Sequence, residues 1–439
     1  MQVRKGEFGQ VLEVGNLGRR ARQLPVAGVA VKIEGGGAGL AGLEDQFLGQ
    51  GIGVAGQLLP LAPSMVDGAP PGEGGWMWAV GLVWRGKRGR VMHLWVRAEQ
   101  RAHEERVGVT PAGVAALVAA GIRVTVEQSR VRAIGIEGYR AAGCEIGREN
   151  SWPDAPADAV VFGLKELPED GPALRHRHIM FGHAYKGQPA GRVLLERFKV
   201  GGGSLYDLEY LVDERGRRVA AFGYWAGYAG AAVALKCWAA QQIGGICGPV
   251  TRYDGKAELL VDLAADLVAL ARPRAIIIGA LGRVGTGAAD CLAAMDVPVT
   301  RWDMAETASG GPFPEVLQHE IFLNCILARP GCPVFVPLAA KDGPRALTVI
   351  GDIACDPTSD FSPIKVYDRA TDWDAPALRV CDDPVLDVTA IDNLPSMLPV
   401  ESSEDYAGQL LASLLTLGDM GGGVWGRAKA DFDRHVGAI

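Results

Sequence analysis

Ile276-Ile277-Ile278-Gly279-Ala280-Leu281-Gly282-Arg283-Val284-Gly285 sets the architecture. Three consecutive branched apolar residues read as a buried strand, and Thr286–Met295 after the turn reads as a helix. A strand, a glycine turn and a helix in immediate succession form the context in which glycine spacing carries meaning. Missing Cβ atoms let the backbone turn tightly and approach a pyrophosphate. The helix N-terminus then offers it free N–H groups and a positive dipole end. The spacing is GxxGxxG rather than the more usual GxGxxG. A plausible next strand, Val299–Asp303, ends in an acid 18 residues beyond Gly285, where a carboxylate accepts hydrogen bonds from ribose hydroxyls. A carboxylate there repels a 2′-phosphate and favours NAD over NADP, whereas the neighbouring Arg301 is a group that can hold that phosphate. The bland alternative is a glycine-rich loop with a solvated aspartate at a strand end.

Outward from this turn the pattern is α/β. Upstream, Phe222–Ala232 is rich in glycine and aromatic residues and leads into a helical run to Gln242. Earlier still, Met92–Val96, Ile122–Glu127, Ala159–Gly163 and Ile179–Phe181 read as strands, with a helix begun by Thr110-Pro111 and carrying Val114, Leu117 and Val118 on one face. Downstream strand candidates are Ile321–Cys325, Val334–Val336 and Leu347–Asp352, followed by helices at Ser403–Leu417 and Gly426–Val436. Alternating strands and helices imply mainly parallel sheets. The first 90 residues differ: they hold 21 of the 60 glycines and lack sustained periodicity, so a poorly ordered segment is expected there.

The 439 residues point to two or three domains, and the composition (48% hydrophobic, 22% charged) is that of a soluble globular protein. A net charge of −7 without a basic block argues against a nucleic-acid partner. No apolar run reaches the ~18 residues of a membrane span, and Met1–Gln10 has no apolar core for a secretory signal. Eight scattered cysteines without a CxxC pair read as reduced thiols of a cytoplasmic protein. The histidines show no HxxxH spacing, so no metal site is expected.

Charged groups gather where the predicted strands end. Arg97–Arg106 follows the first strand, Lys165-Glu166 the third, and His183 with Lys186 the fourth. Ligands bind at the carboxyl edge of open parallel sheets. A lysine at an apolar rim loses solvation and with it basicity, and histidine titrates near neutrality unaided. Singly each reads as structural; converging on one edge opposite a dinucleotide turn, they read as an acid–base site. Asp213–Arg218 is open between a polar hairpin tip and a segment that points Arg217 or Arg218 into the cleft.

The stretches RAEQRAHEERVGVTP, GLKELP, FGHAYK, SLYDLEYL, GRRVAAFGYWAGYAGAA, IIGALGRVGTGA, RWDMAETASGGPF, NCI and IDNLPSMLP, from about Met92 to the C-terminus, resemble the NAD-dependent, lysine-forming saccharopine dehydrogenases within the wider alanine dehydrogenase and transhydrogenase family. The GxxGxxG form is the one that family uses. The resemblance implies Lys165 and His183 as the acid–base pair and Arg106 as a substrate-carboxylate ligand. It puts Glu166 and Glu209 beside the pair as modulators of its charge, and Arg217 and Arg218 along the cleft. Gly279, Gly282, Arg283, Val284, Gly285 and Asp303 would hold NAD, with Asp392 close to the nicotinamide. Arg101 and His103 vary in the family and receive no role.

It further implies two Rossmann-like parallel-sheet domains with the active-site cleft between them, preceded by the Gly-rich extension. Residues 1–90 form that extension, with a mis-assigned start the favoured explanation and an unrelated tail or targeting segment the other. Residues 91–222 plus 396–439 form the substrate domain, and 223–395 the NAD-binding domain. The implied reaction cleaves saccharopine to L-lysine and 2-oxoglutarate, by hydride transfer followed by imine hydrolysis. Rival readings are an alanine dehydrogenase or opine-type activity and a catalytically silent NAD-binding protein. The sequence leaves oligomeric state open, with a monomer as the default, and leaves the physiological direction open too.

Overall fold

The computed structural model describes residues 58–60, 80–82, 91–101 and 104–439. The chain divides into Met1–Arg90 and Val91–Ile439. In the first unit Leu58–Pro60 pairs antiparallel with Val80–Leu82; the expectation of a poorly ordered extension otherwise falls outside the described residues.

The second unit contains two six-stranded sheets. The first is built from β1 (His93–Val96), β2 (Arg123–Glu127), β3 (Glu145–Gly147), β4 (Val160–Phe162), β5 (Arg177–Met180) and β6 (Ser204–Asp207). Its order is β3-β2-β1-β4-β5-β6 and every pair is parallel. The second contains β7 (Ala275–Ile278), β8 (Val299–Trp302), β9 (Ile321–Asn324), β10 (Val349–Asp352), β11 (Leu378–Asp382) and β12 (Val385–Thr389). Its order is β8-β7-β9-β10-β12-β11, parallel except for the β11–β12 hairpin at one edge. In each sheet the strand order reverses beside the first strand, between β1 and β4 and between β7 and β9. Such a reversal opens a crevice at the carboxyl ends of the strands, where ligands bind. The Arg97–Arg106 and Lys165 loops and the glycine turn leave from these two places, and His183 and Glu209 follow the adjoining strands β5 and β6.

Helix α1 (Pro111–Ala119) starts as its sequence requires: the Thr110 hydroxyl accepts from the Gly113 N–H, and Pro111 sits where its missing N–H costs nothing. Helices α2 (Ile136–Ala141) and α3 (Pro189–Gly201) complete the cover of the first sheet before the chain crosses over. Helix α4 (Gly223–Gln242) belongs to the second sheet, as do α5 (Lys256–Asp266) and α6 (Arg283–Ala294). Helices α4 and α6 touch backbone to backbone. A Cβ on Gly227 would overlap the Val284 carbonyl, and one on Gly287 would overlap that of Tyr224. This small-residue seam holds the helix of the glycine turn in place. The chain then returns: α7 (Pro399–Leu414) and α8 (Gly423–Gly437) place Tyr406, Leu410, Trp425 and Ala428 in the core of the first sheet. Among the described residues no helix is long and apolar enough to cross a membrane.

Three expectations need correction. Val334–Val336 is not a strand; Val336 makes one bridge to Ile364. Pro333 and Pro337 flank it, and prolines remove donors and restrict the residues before them. The helix of the glycine turn begins at Arg283 rather than Thr286, so the turn's last glycine is already helical. The helix expected at Ser403–Leu417 runs from Pro399 to Leu414, Pro399 being an N-terminal signal of the same kind as Pro111.

Candidate active site

Lys165 sits just past β4, and its backbone is gripped before its side chain is considered. The buried Arg97 guanidinium donates to the Lys165 carbonyl. Glu99 accepts from the Leu164 N–H at 2.6 Å and the Lys165 N–H at 3.0 Å. A Cβ on Gly163 would run into the Arg97 guanidinium, which would then have to leave its place. Burial pushes the Lys165 ammonium below its ordinary value; Arg106 and Arg101 push the same way, and Glu104 and Asp392 oppose them.

His183 follows β5 with φ +47°, a left-handed conformation that costs a non-glycine residue on the order of 1–3 kcal/mol. Its Nε2 lies 3.8 Å from Glu166 and its Nδ1 3.9 Å from Glu209. Burial lowers the imidazole pKa from its usual value, Lys165 and Arg101 lower it further, and the two glutamates raise it. Glu209 itself is raised by burial but held below the normal carboxylate range by Lys186 at 2.9 Å and Arg218 at 2.6 Å. Behind both loops lies Asp207, the last residue of β6, fully buried, with its carboxyl pushed up to about 7 by burial.

The second sheet reaches this cluster after β12. Arg101 lies 3.3 Å from Glu166 and 3.9 Å from Asp392. Asn393, left-handed at φ +68°, accepts from the Arg106 guanidinium at 2.5 Å. Arg106 is 2% exposed, paired with Glu104 through Nε at 2.8 Å and Nη2 at 2.6 Å, and lies over the Phe222 ring at 4.3 Å. In this state its charge is neutralised by Glu104.

The glycine turn carries its own logic. Gly279 has φ +88°, and a Cβ there would press on Ile326 and on the Cys325 backbone. On Gly285 a Cβ would come within 2.6 Å of Ala280 Cα. Both glycines are therefore needed for folding alone. Gly282 is different: it is exposed, its backbone is ordinary extended chain, and a Cβ would meet only the Gly279 carbonyl at 3.4 Å. No side chain caps α6, which starts after Gly282. Asp303 closes β8 beside the turn, and its carboxylate accepts from the Leu281 N–H at 3.0 Å. Arg283 donates to Gln409 of α7 at 2.8 Å.

Glu166, His183, Glu209, Arg218 and Asp392 thus come together in one network through Arg101, and Lys165 lies within its electrostatic reach. Arg217 is outside it: its guanidinium is folded back onto Asp213, 2.9 Å away, within its own exposed turn. Lys186, one of the charged groups expected at the strand ends, joins the network through Glu209. Arg97, Glu99, Arg101, Glu104, Asp207 and Asn393 also belong to the site, and the sequence does not set them apart as site residues. Arg97, Glu99, Arg101, Asp207 and Asn393 are defined by contacts to distant loops and Glu104 by Arg106 two residues on, and only their place near strand ends hints at them.

Residues 95–229 match the family model described as Alanine dehydrogenase/PNT, N-terminal domain. Over 363 residues the chain is 44% identical to the Saccharopine dehydrogenase (NAD(+), L-lysine-forming) of Neurospora crassa, covering 80% of this chain and 97% of that protein. Over 375 residues it is 42% identical to the protein of the same name from Candida albicans, covering 80% and 98%. Among solved structures it resembles an L-alanine dehydrogenase with a TM-score of 0.53 at 19% identity, covering 74% of this chain and 90% of that one. At that identity the likeness concerns the fold.

Proposed function

The chain belongs to the NAD(+)-dependent, L-lysine-forming saccharopine dehydrogenase family, and from this we propose that it cleaves saccharopine reversibly to L-lysine and 2-oxoglutarate with Lys165 and His183 as its acid–base pair. The observation that carries the reading is the joint cluster: an imidazole sits in a carboxylate network that Asp392 from the other lobe reaches through Arg101, within the field of an ammonium weakened by burial. Residues 91–222 with 396–439 are the substrate lobe and 223–395 the cofactor lobe.

The glycine turn fits a dinucleotide. The space beside Gly282 is larger than the fold requires, and the uncapped start of α6 offers N–H groups to a pyrophosphate. Gly279, Gly282, Arg283, Val284 and Gly285 would hold the pyrophosphate and Asp303 the ribose, with Asp392 near the nicotinamide. NAD, when bound, supplies the hydride acceptor. Lys165 takes the proton from the secondary amine of saccharopine, so that its lone pair can drive hydride from the glutaryl α-carbon and leave an imine on the substrate. His183 deprotonates the water that adds to the imine and returns the proton to the amine as the carbinolamine breaks. Glu166 and Glu209 keep the site close to neutral. Arg218, with Arg106 once it is freed from Glu104, receives substrate carboxylates, which guanidinium groups bind in bidentate fashion. Arg217 joins them on leaving Asp213. That all eight cysteines are unbridged supports a cytoplasmic setting.

The decisive assay follows NADH oxidation with lysine plus 2-oxoglutarate against pyruvate plus ammonia. Turnover only with the second pair would replace this reading by the alanine dehydrogenase one. The cofactor half is tested separately by Gly282→Ala. The variant should unfold within about 1 kcal/mol of wild type, the size of an N-cap change. Its Cβ occupies the space a pyrophosphate needs, so NADH affinity should fall roughly tenfold or more, equivalent to about 1.4 kcal/mol. Unchanged affinity in a fluorescence titration would move the cofactor elsewhere.

A further inference from the structure

We infer that Asp207 is the positioning residue of the acid–base pair: its two carboxylate oxygens hold the two backbones that carry His183 and Glu209, and so fix the gap between imidazole and glutamate. The inference rests on the functional reading above.

Asp207 Oδ2 accepts from the Gly182 N–H at 3.2 Å, and Oδ1 from the Glu209 N–H at 2.9 Å. One residue further along in the first case stands His183, in the left-handed region; a backbone so strained persists only where its surroundings over-determine it. Gly182 lies directly against the carboxylate. A Cβ there would be 3.1 Å from Asp207 Oδ2 and 2.6 Å from the Leu205 side chain, so a side chain would have to displace one of them. At the second anchor, the Glu209 carboxylate is drawn toward Lys186 and Arg218, and its N–H fixes where it starts from. The field of Glu209 at His183 falls off with separation, so the 3.9 Å gap helps set the basicity of the imidazole.

Asp207 therefore acts through His183 without touching substrate. Burial raises its carboxyl to about 7; the two N–H donors and Arg218 pull it down, and Glu209 pushes it up. The phenols of Tyr185, Tyr210 and Tyr406 face it as well. Protonation removes the charge that strengthens both bonds and leaves a weaker acceptor, so the anchors weaken as pH falls through neutrality.

Asp207→Asn keeps shape and one acceptor oxygen but neither charge nor second acceptor. In the full chain, with lysine, 2-oxoglutarate and NADH, kcat should fall roughly tenfold or more. KM for NADH should stay constant, and the acidic limb of the pH profile should move. Wild-type protein provides a second measurement that needs no variant. Amide exchange at Gly182 and Glu209, corrected for its intrinsic rate, should accelerate between about pH 8 and about pH 6 as the anchors release. A folded Asn variant with wild-type kcat and a superposable pH profile would overturn the inference. So would wild-type amides whose protection ignores pH, should the variant fail to fold. A wild-type chain inactive toward these substrates would instead refute the functional reading, and exchange alone would then decide the role of Asp207.

Discussion

Lys165→Met is expected to lower kcat for saccharopine oxidation by about 10²–10⁴-fold, the usual contribution of a general acid–base group, while NADH still binds. Methionine matches the length of the lysine stem and removes the amine. The loop should survive, because Arg97 and Glu99 hold residue 165 through its carbonyl and N–H rather than its side chain. The cofactor turn should survive because it stands on the other sheet. The sign of the pH effect follows from the environment. Burial and then Arg106 depress the ammonium, so the neutral amine needed to accept a proton is present at lower pH than for a free lysine. Oxidation should therefore rise with pH along a limb that belongs to this group, and the methionine variant should lack that limb. Stopped-flow turnover paired with an NADH binding titration separates the two effects. Wild-type turnover in a variant that binds NADH would remove Lys165 from the chemistry.

What could be read in advance depended on how local the signal was. Ile276–Ile278 and the glycines announced strand, turn and helix because each is encoded within ten residues, and Asp303 could be reached by counting. It does stand at the turn, holding the Leu281 N–H. The hairpin β11–β12 was missed because Arg379, Cys381, Asp382 and Asp387 blur its periodicity. The structure explains that sequence: Asp387 is fully buried and paired with Arg379 at 2.9 Å, a contact invisible in either segment alone. The site divides in the same way. Lys165, Glu166 and His183 could be named because they follow buried strands, whereas Glu104 could not be set apart from its charged neighbours. Only the fold shows that Glu104 takes up the charge of Arg106, which as a lone cation reads as a ready-made carboxylate ligand. Arg217 marks the limit in the other direction. Adjacent arginines are indistinguishable in sequence, and the turn that binds one to Asp213 leaves the other free to reach Glu209.

The imidazole calls for a more careful replacement than the lysine. His183→Gln should cost kcat about 10²–10⁴-fold, but glutamine also has to adopt φ +47°, where only glycine, asparagine, aspartate and histidine are commonly found. His183→Asn accepts that backbone readily, so a comparable loss in both variants assigns the effect to the missing imidazole, and a loss confined to glutamine assigns it to strain. The pH behaviour is again directional. Burial depresses His183 below its ordinary value, so the ring is neutral at physiological pH and ready to take a proton from water. Its function lies in hydrating the imine, after hydride has moved, so removing it should make a step other than hydride transfer limiting. In the lysine-forming direction the primary isotope effect with NAD-coupled turnover of α-deuterated saccharopine should then shrink toward unity in His183→Asn. An undiminished isotope effect with lowered turnover would place the imidazole in the hydride step instead, and would exchange the roles given to it and to Lys165.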